Sequence, residues 1–119
     1  MVRLVRRMVV RSAHEIAARA PLRLAVGERV TVGERDTQWR EFVFVTCAHG
    51  EGWVPARHLS ASSGEAIVRA GYDTTELPTQ AGEVLEVVEE DRRSGWLWCR
   101  AVGGREGWVP ATTLRSFDQ

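Results

Sequence analysis

The sequence predicts an all-β fold of two tandem five-stranded barrels, and two observations carry that expectation. Glu-Gly-Trp-Val-Pro occurs twice, at Glu51 to Pro55 and at Glu106 to Pro110, 55 positions apart. At the same offset Leu22 falls on Leu77, Gly27-Glu28 on Gly82-Glu83, Val32 on Val87, Glu34 on Glu89 and Asp36 on Asp91. The 119 residues therefore read as two copies of one module, 1–62 and 63–119, each the size of a small β-barrel. The other observation is a succession of short Val-, Leu- and Trp-rich segments broken by Gly, Pro and Ser turns. Neither copy has a helical apolar period of useful length, and only the alanine-rich His14 to Ala20 is ambiguous.

The second copy shows the element order most clearly. Ala66 to Gly71 predicts a short strand, Tyr72 to Ala81 a polar connection, and Glu83 to Glu90 a Val/Leu-rich strand. Asp91 to Gly95 is a loop by composition. In Trp96 to Arg100 the two indoles stand at i and i+2 on one strand face, with Leu97 and Cys99 on the other, and only one face can be core. Gly103-Gly104 signals a hairpin turn into Arg105 to Val109, and Pro110 ends that strand because it cannot donate to a ladder. Ala111 to Thr113 is one helical turn at most, before a last strand at Leu114 to Phe117.

The first copy repeats the order with strands at Glu28 to Glu34, Phe42 to Cys47 and Glu51 to Val54. Its loop before Phe42 is one residue longer and its Ala48-His49-Gly50 turn one shorter, so the offset holds at both ends and fails between them. Allowing for this, Phe42 corresponds to Trp96, Phe44 to Trp98 and Val45 to Cys99. Val54 and Val109 are core positions.

Lys+Arg equal Asp+Glu at 16 each, and every basic residue is arginine. The halves differ: residues 1–62 carry ten Arg against six acidic residues, residues 63–119 six against ten, hence +4 and −4. Opposite signs would favour docking of the modules, although exposed pairs contribute little. Glu86, Glu89, Glu90 and Asp91 read as a solvated strand edge that discourages edge pairing. Arginines interrupt the apolar stretch Met1 to Val10, which does not read as a secretory signal, and no segment approaches the roughly 20 apolar residues of a membrane span. Cys47 and Cys99 read as free buried thiols of a reducing cytoplasm.

The ordered set Tyr72-Asp73, Glu76-Leu77, Gly82-Glu83, Gly95-Trp96, Gly104-Arg105-Glu106-Gly107 and Val109-Pro110 resembles the SH3 domain, and Gly27-Glu28 with Gly52-Trp53-Val54-Pro55 repeats it. The Trp-x-Trp-Cys and Gly-Trp-Val-Pro forms are most similar to variant SH3 domains found singly or in tandem in bacteria. The resemblance implies an SH3-like barrel in each copy and a non-enzymatic protein-interaction module. In that family an aromatic groove receives a Pro-rich segment already ordered as a polyproline helix.

Carried over, the groove of the second copy comprises Tyr72, Trp96, Trp108 and Pro110, with Asp73 and Glu76 as its acidic residues. Ala70 and Thr113 stand where the family often has tyrosines. The first copy offers Phe42, Trp53, Pro55 and His58, with Trp39 as a substitute in the longer loop, and no aromatic from Ala13 to Pro21. The second copy is therefore expected to be the better peptide binder. Trp96, beside Gly95, is expected near solvent in the groove, Trp98 is expected to pack, and Trp53 and Trp108 suit either role.

No nucleophile, paired-carboxylate or phosphate-loop pattern appears, so no enzyme and no cofactor are expected. His49 and His58 near Cys47 match no zinc spacing. A nucleic-acid-binding barrel is the alternative, drawn from the arginines of the first half and opposed by the overall neutrality. A rigid scaffold, or a homodimer through the tryptophans, is the third reading.

Overall fold

Val45, Val54, Leu85, Cys99 and Val109 are sealed from solvent, each the inward member of an alternating strand. The computed structural model describes residues 6–16 and 19–117, and these form an all-β structure. Its strands are β1 (Arg6–Val10), β2 (Arg23–Leu24), β3 (Arg29–Arg35), β4 (Phe42–Cys47), β5 (Gly50–Pro55) and β6 (Gly64–Ile67). β7 (Tyr72–Asp73), β8 (Val84–Asp91), β9 (Trp96–Arg100), β10 (Glu106–Pro110) and β11 (Leu114–Ser116) complete them, with single 3-10 turns at Ala56–His58 and Ala111–Thr113. β4 and β9 run as the sequence predicts, and the other predicted strands differ by a few residues at their ends. Residues Met1 to Val5 of the arginine-interrupted stretch, and Ala17-Ala18 of the ambiguous one, lie outside the described residues. No helix among the described residues is long and apolar enough to cross a membrane.

Two compact units result, and they are not the halves 1–62 and 63–119. One is Arg19–Thr74, here the central unit; the other, the split unit, joins Met1–Ala18 to Thr75–Gln119. The central unit holds a sheet in the order β5-β4-β3-β6 and the pair β2-β7. The split unit holds the sheet β10-β9-β8-β1-β11. Each unit closes on its own apolar cluster: Val30, Val45, Val54 and Val68 among others in the first, Val10, Leu85, Leu97 and Val109 in the second.

The two frames are built alike, but with two offsets. Val68 N–H donates to Glu28 O and Gly27 N–H to Val68 O; the split unit makes the same bonds from Val10 N–H to Glu83 O and from Gly82 N–H to Val10 O. Glu28 and Glu83 differ by the expected 55 positions, whereas Val10 and Val68 differ by 58. The strand that opens each repeat thus serves the body of the other repeat, β1 lying on β8 and β6 on β3. Each body strand carries a bulge at the same place, Val32/Arg35 and Val87/Glu89.

Charge explains the partner choice. In β1 against β8, Arg7 faces Glu86, and Arg6 reaches Glu90 at 2.6 Å, holding that carboxyl below its usual pKa. In β6 against β3, Glu65 faces Thr31. Exchanging β1 and β6 would put Glu65 opposite Glu86, and like charges directly opposite are destabilising. The acidic run is a solvated edge only in part: Glu86 lies between β1 and β9, whereas among the described residues Glu89, Glu90 and Asp91 pair with β9 alone and Glu89 and Glu90 are exposed. The expected +4 and −4 also disappear, because the central unit carries seven arginines and seven acidic residues and the split unit nine of each.

Arg7→Glu is expected to lower stability by about 0.5–1 kcal/mol, by setting a glutamate opposite Glu86. Denaturant unfolding at low and high salt checks this, since screening should shrink the loss.

Candidate functional site

Strand register places the rings on the sheet face opposite the core. In the split unit Trp96 pairs with Pro110 and Trp98 with Trp108. In the central unit Phe42 pairs with Pro55 and Phe44 with Trp53. Leu97 and Cys99 fill the core from the other face of β9, and burial pushes the Cys99 thiol up to about 11. Each unit thus presents two aromatic groups, one at the proline end of the strand pair and one beyond it.

At the proline end of the central unit, Tyr72 is the hub. Its ring meets Phe42 edge-on at 6.5 Å between centroids and His58 at 5.3 Å. The pairing of Leu24 with Tyr72 and Arg23 with Asp73 holds that hub, and Arg23 Nε donates to Asp73 Oδ2 at 3.1 Å. His58 is fixed through the single 3-10 turn after Pro55: its carbonyl accepts the Arg69 amide at 2.7 Å, and its Nδ1 donates to Ala70 O at 3.2 Å. Phe42 and Pro55 are buried, whereas Tyr72, Asp73 and His58 are half-buried. The result is an apolar floor with polar-edged rings above it.

The split unit builds the corresponding place from His14, Glu76, Trp96 and Pro110. His14 meets the Trp96 ring at 5.4 Å, and its Nε2 donates to Glu76 Oε1 at 2.8 Å. The His14 amide donates to Thr79, so the ring is held over the indole from both ends. Trp96 is only 9% exposed, contrary to the expectation that Gly95 keeps it near solvent. Thr113, at the position of His58, turns its hydroxyl back to donate to Pro110 O at 2.8 Å.

The site residues expected to share one groove come from both compact units. Tyr72 and Asp73 belong to the central unit, with Phe42, Pro55 and His58; Glu76, Trp96 and Pro110 belong to the split unit. The reason is the pairing of β6 and β7 with β3 and β2. Trp53 and Trp108 stand two residues along their strands from Pro55 and Pro110. Trp53 packs on Phe44 at 5.1 Å and Trp108 on Trp98 at 5.3 Å, with Arg19 over the Phe44 ring. Trp39, in the loop before Phe42, donates its amide to Asp36 and accepts the Phe42 amide, which orders the loop.

His14 is the residue that sequence reasoning missed. A signal existed: Arg11-Ser-Ala-His-Glu15 matches Arg69-Ala-Gly-Tyr-Asp73 at an offset of 58, which puts His14 on Tyr72. An alignment held at 55 hides it.

Residues 68–116 match the family model of the variant SH3 domain. The match begins at Val68, in the central unit, and passes at Thr74 into the split unit, so the contiguous SH3 sequence and the compact unit are different pieces of chain. The mouse SH3 and PX domain-containing protein 2B is 32% identical over 109 residues, covering 77% of this chain and 12% of the relative. The rat formin-binding protein 1-like is 43% identical over 44 residues, covering 37% of this chain and 7% of the relative. The mouse SH3 and PX domain-containing protein 2A is 46% identical over 44 residues, 37% of this chain and 4% of the relative. The chain thus spans about an eighth, or less, of these curated relatives.

In the β9–β10 hairpin Glu106 joins two side chains of the neighbouring strand. Trp98 Nε1 donates to Glu106 Oε1 at 2.7 Å and Arg100 Nε to Glu106 Oε2 at 2.9 Å. The indole first, then the guanidinium, hold the Glu106 carboxyl below its ordinary 4.5. A lowered folded pKa stabilises above the unfolded value, and that contribution is lost as pH falls from 4.5 through the lowered value. The Trp98 indole N–H resonance is expected to titrate with a midpoint below 4.5, and Glu106→Gln to abolish that titration, read by NMR.

Proposed function

We propose that the chain is a non-enzymatic protein-interaction module of two tandem SH3-like barrels, and that an extended or Pro-rich peptide segment of a partner docks on Phe42, Pro55, His58 and Tyr72. The match of residues 68–116 to the variant SH3 domain supports the class of function. The ring cluster around Tyr72 supports the place. A polyproline helix is pre-ordered and loses little entropy on docking, and flat rings fit between its ridges. Asp73, half-buried at the edge of the cluster, is positioned to attract a basic residue of the peptide alongside Arg23.

The corresponding place on the split unit, Trp96, Pro110 and Glu76, is the secondary docking site. There His14 covers the indole and engages the carboxylate that would meet a basic residue. Binding at Trp96 would require both contacts to open.

Tyr72 is the single tyrosine of the chain, so fluorotyrosine reports on this cluster alone. Titration with a Pro-rich peptide is expected to shift that signal, and Tyr72→Ala to weaken binding at least tenfold, about 1.4 kcal/mol or more, on the scale of an interface hot spot. Tyr72→Phe should retain most of the affinity. Shifts confined to the Trp96 indole would move the site to the split unit. Oligonucleotide binding that falls steeply with salt, with no peptide response, would favour the nucleic-acid reading instead.

A further inference from the structure

The turn between β4 and β5 carries chemistry that the frame does not need. Cys47 pairs with Gly50 across the hairpin, so Ala48 and His49 form its tip. Thr31 faces Thr46 in the adjoining pair of strands, and continuing that register brings Glu28 opposite His49. His49 Nε2 donates to Glu28 Oε2 at 2.6 Å. The Cys47 sulfur completes the group, with the three potential ligand atoms all within 4.8 Å of one another.

Comparison with the split unit separates structure from function within this cluster. Glu28 Oε1 accepts the Ala25 amide at 2.8 Å, and Glu83 Oε1 accepts the Gln80 amide at 2.7 Å in the same turn of the other unit. One carboxylate oxygen is thus structural in both units. The partners of the second oxygen are not shared. Ala101 and the Gly103-Gly104 turn stand where the central unit has Cys47 and His49, and Gly103 and Gly104 have positive φ of 100° and 96°. A hairpin of this frame therefore forms without thiol or imidazole.

We propose that Glu28, Cys47 and His49 bind a zinc ion at the β4–β5 turn of the central unit. One thiolate, one imidazole and one carboxylate make a donor set suited to tetrahedral zinc, with the fourth position left to water. Ligand atoms around such an ion stand about 3.3–3.6 Å apart, so the Glu28–His49 contact opens slightly and the sulfur moves in, by side-chain rotation at an exposed turn. The Ala25 amide and the His49 imidazole both donate to Glu28, which holds its carboxyl at the turn. On binding, zinc takes the place of the proton between His49 and Glu28, which moves to His49 Nδ1 by tautomerisation, and the Cys47 thiol proton goes to solvent. The sequence conceals the site because Glu28 lies far from Cys-Ala-His and His58, the nearer candidate, is committed to Ala70 O.

Cobalt(II) added to the full chain is the test. One equivalent per chain should give the near-ultraviolet thiolate-to-cobalt charge-transfer band, and zinc should remove it by displacement. Cys47→Ser should abolish the band, Cys99→Ser should keep it, and His49→Ala and Glu28→Gln should each weaken zinc at least tenfold against a chromophoric chelator. Glu28→Gln retains a carbonyl for the Ala25 amide, and an unchanged thermal unfolding curve without metal separates lost ligation from lost fold. No band in the wild type, a band that survives Cys47→Ser, or one metal per two chains would overturn the proposal.

Discussion

β1 lies antiparallel on β8 with Arg7 facing Glu86 and Arg6 bonded to Glu90, and this pairing decides which rings meet. Apolar burial alone does not select it. The equivalent residues of the two opening strands are Val9 and Val10 in one, Ile67 and Val68 in the other, and a valine-rich body strand accepts either pair. The selection is a difference between two nearly equal pairings, so cross-strand terms of about 0.2–1 kcal/mol are large enough to bias it. Arginines against the acidic β8 supply such terms, and Glu65 against Glu86 would oppose the alternative.

The consequence runs directly to the surface. Tyr72 follows β6 and His14 follows β1, so exchanging the strands exchanges the ring that sits above each proline end. The central unit receives a phenol between Phe42 and His58. The split unit receives an imidazole that covers Trp96 and binds Glu76. Duplication produced two similar frames, and the strand pairing gave them unequal surfaces.

The strands themselves were legible because their signals are local. Trp96 to Arg100 announces its two faces, Gly103-Gly104 its turn, and Val54 and Val109 their burial. Strand partners are not local, and short opening strands that differ mainly in charge leave no periodic trace of their destination. The 55-residue offset conceals that destination further, since the loops after β1 and β6 differ in length and the match around His14 appears only at 58. The candidate site is legible only as a set of residue types, Phe42, Pro55, His58, Tyr72, Trp96 and Pro110, which the strand registers place at the proline ends of the two units. Its grouping is not, because grouping follows from pairing. Trp53 and Trp108 were ambiguous for a simpler reason: they share a strand face with the prolines, one pair further along.

Interstrand nuclear Overhauser effects measured on the full chain test the pairing most directly. Contacts are expected between Met8 and Leu85 and between Val30 and Ala66. Contacts between Met8 and Val30, together with Ala66 and Leu85, would show each opening strand on its own repeat and would contradict it.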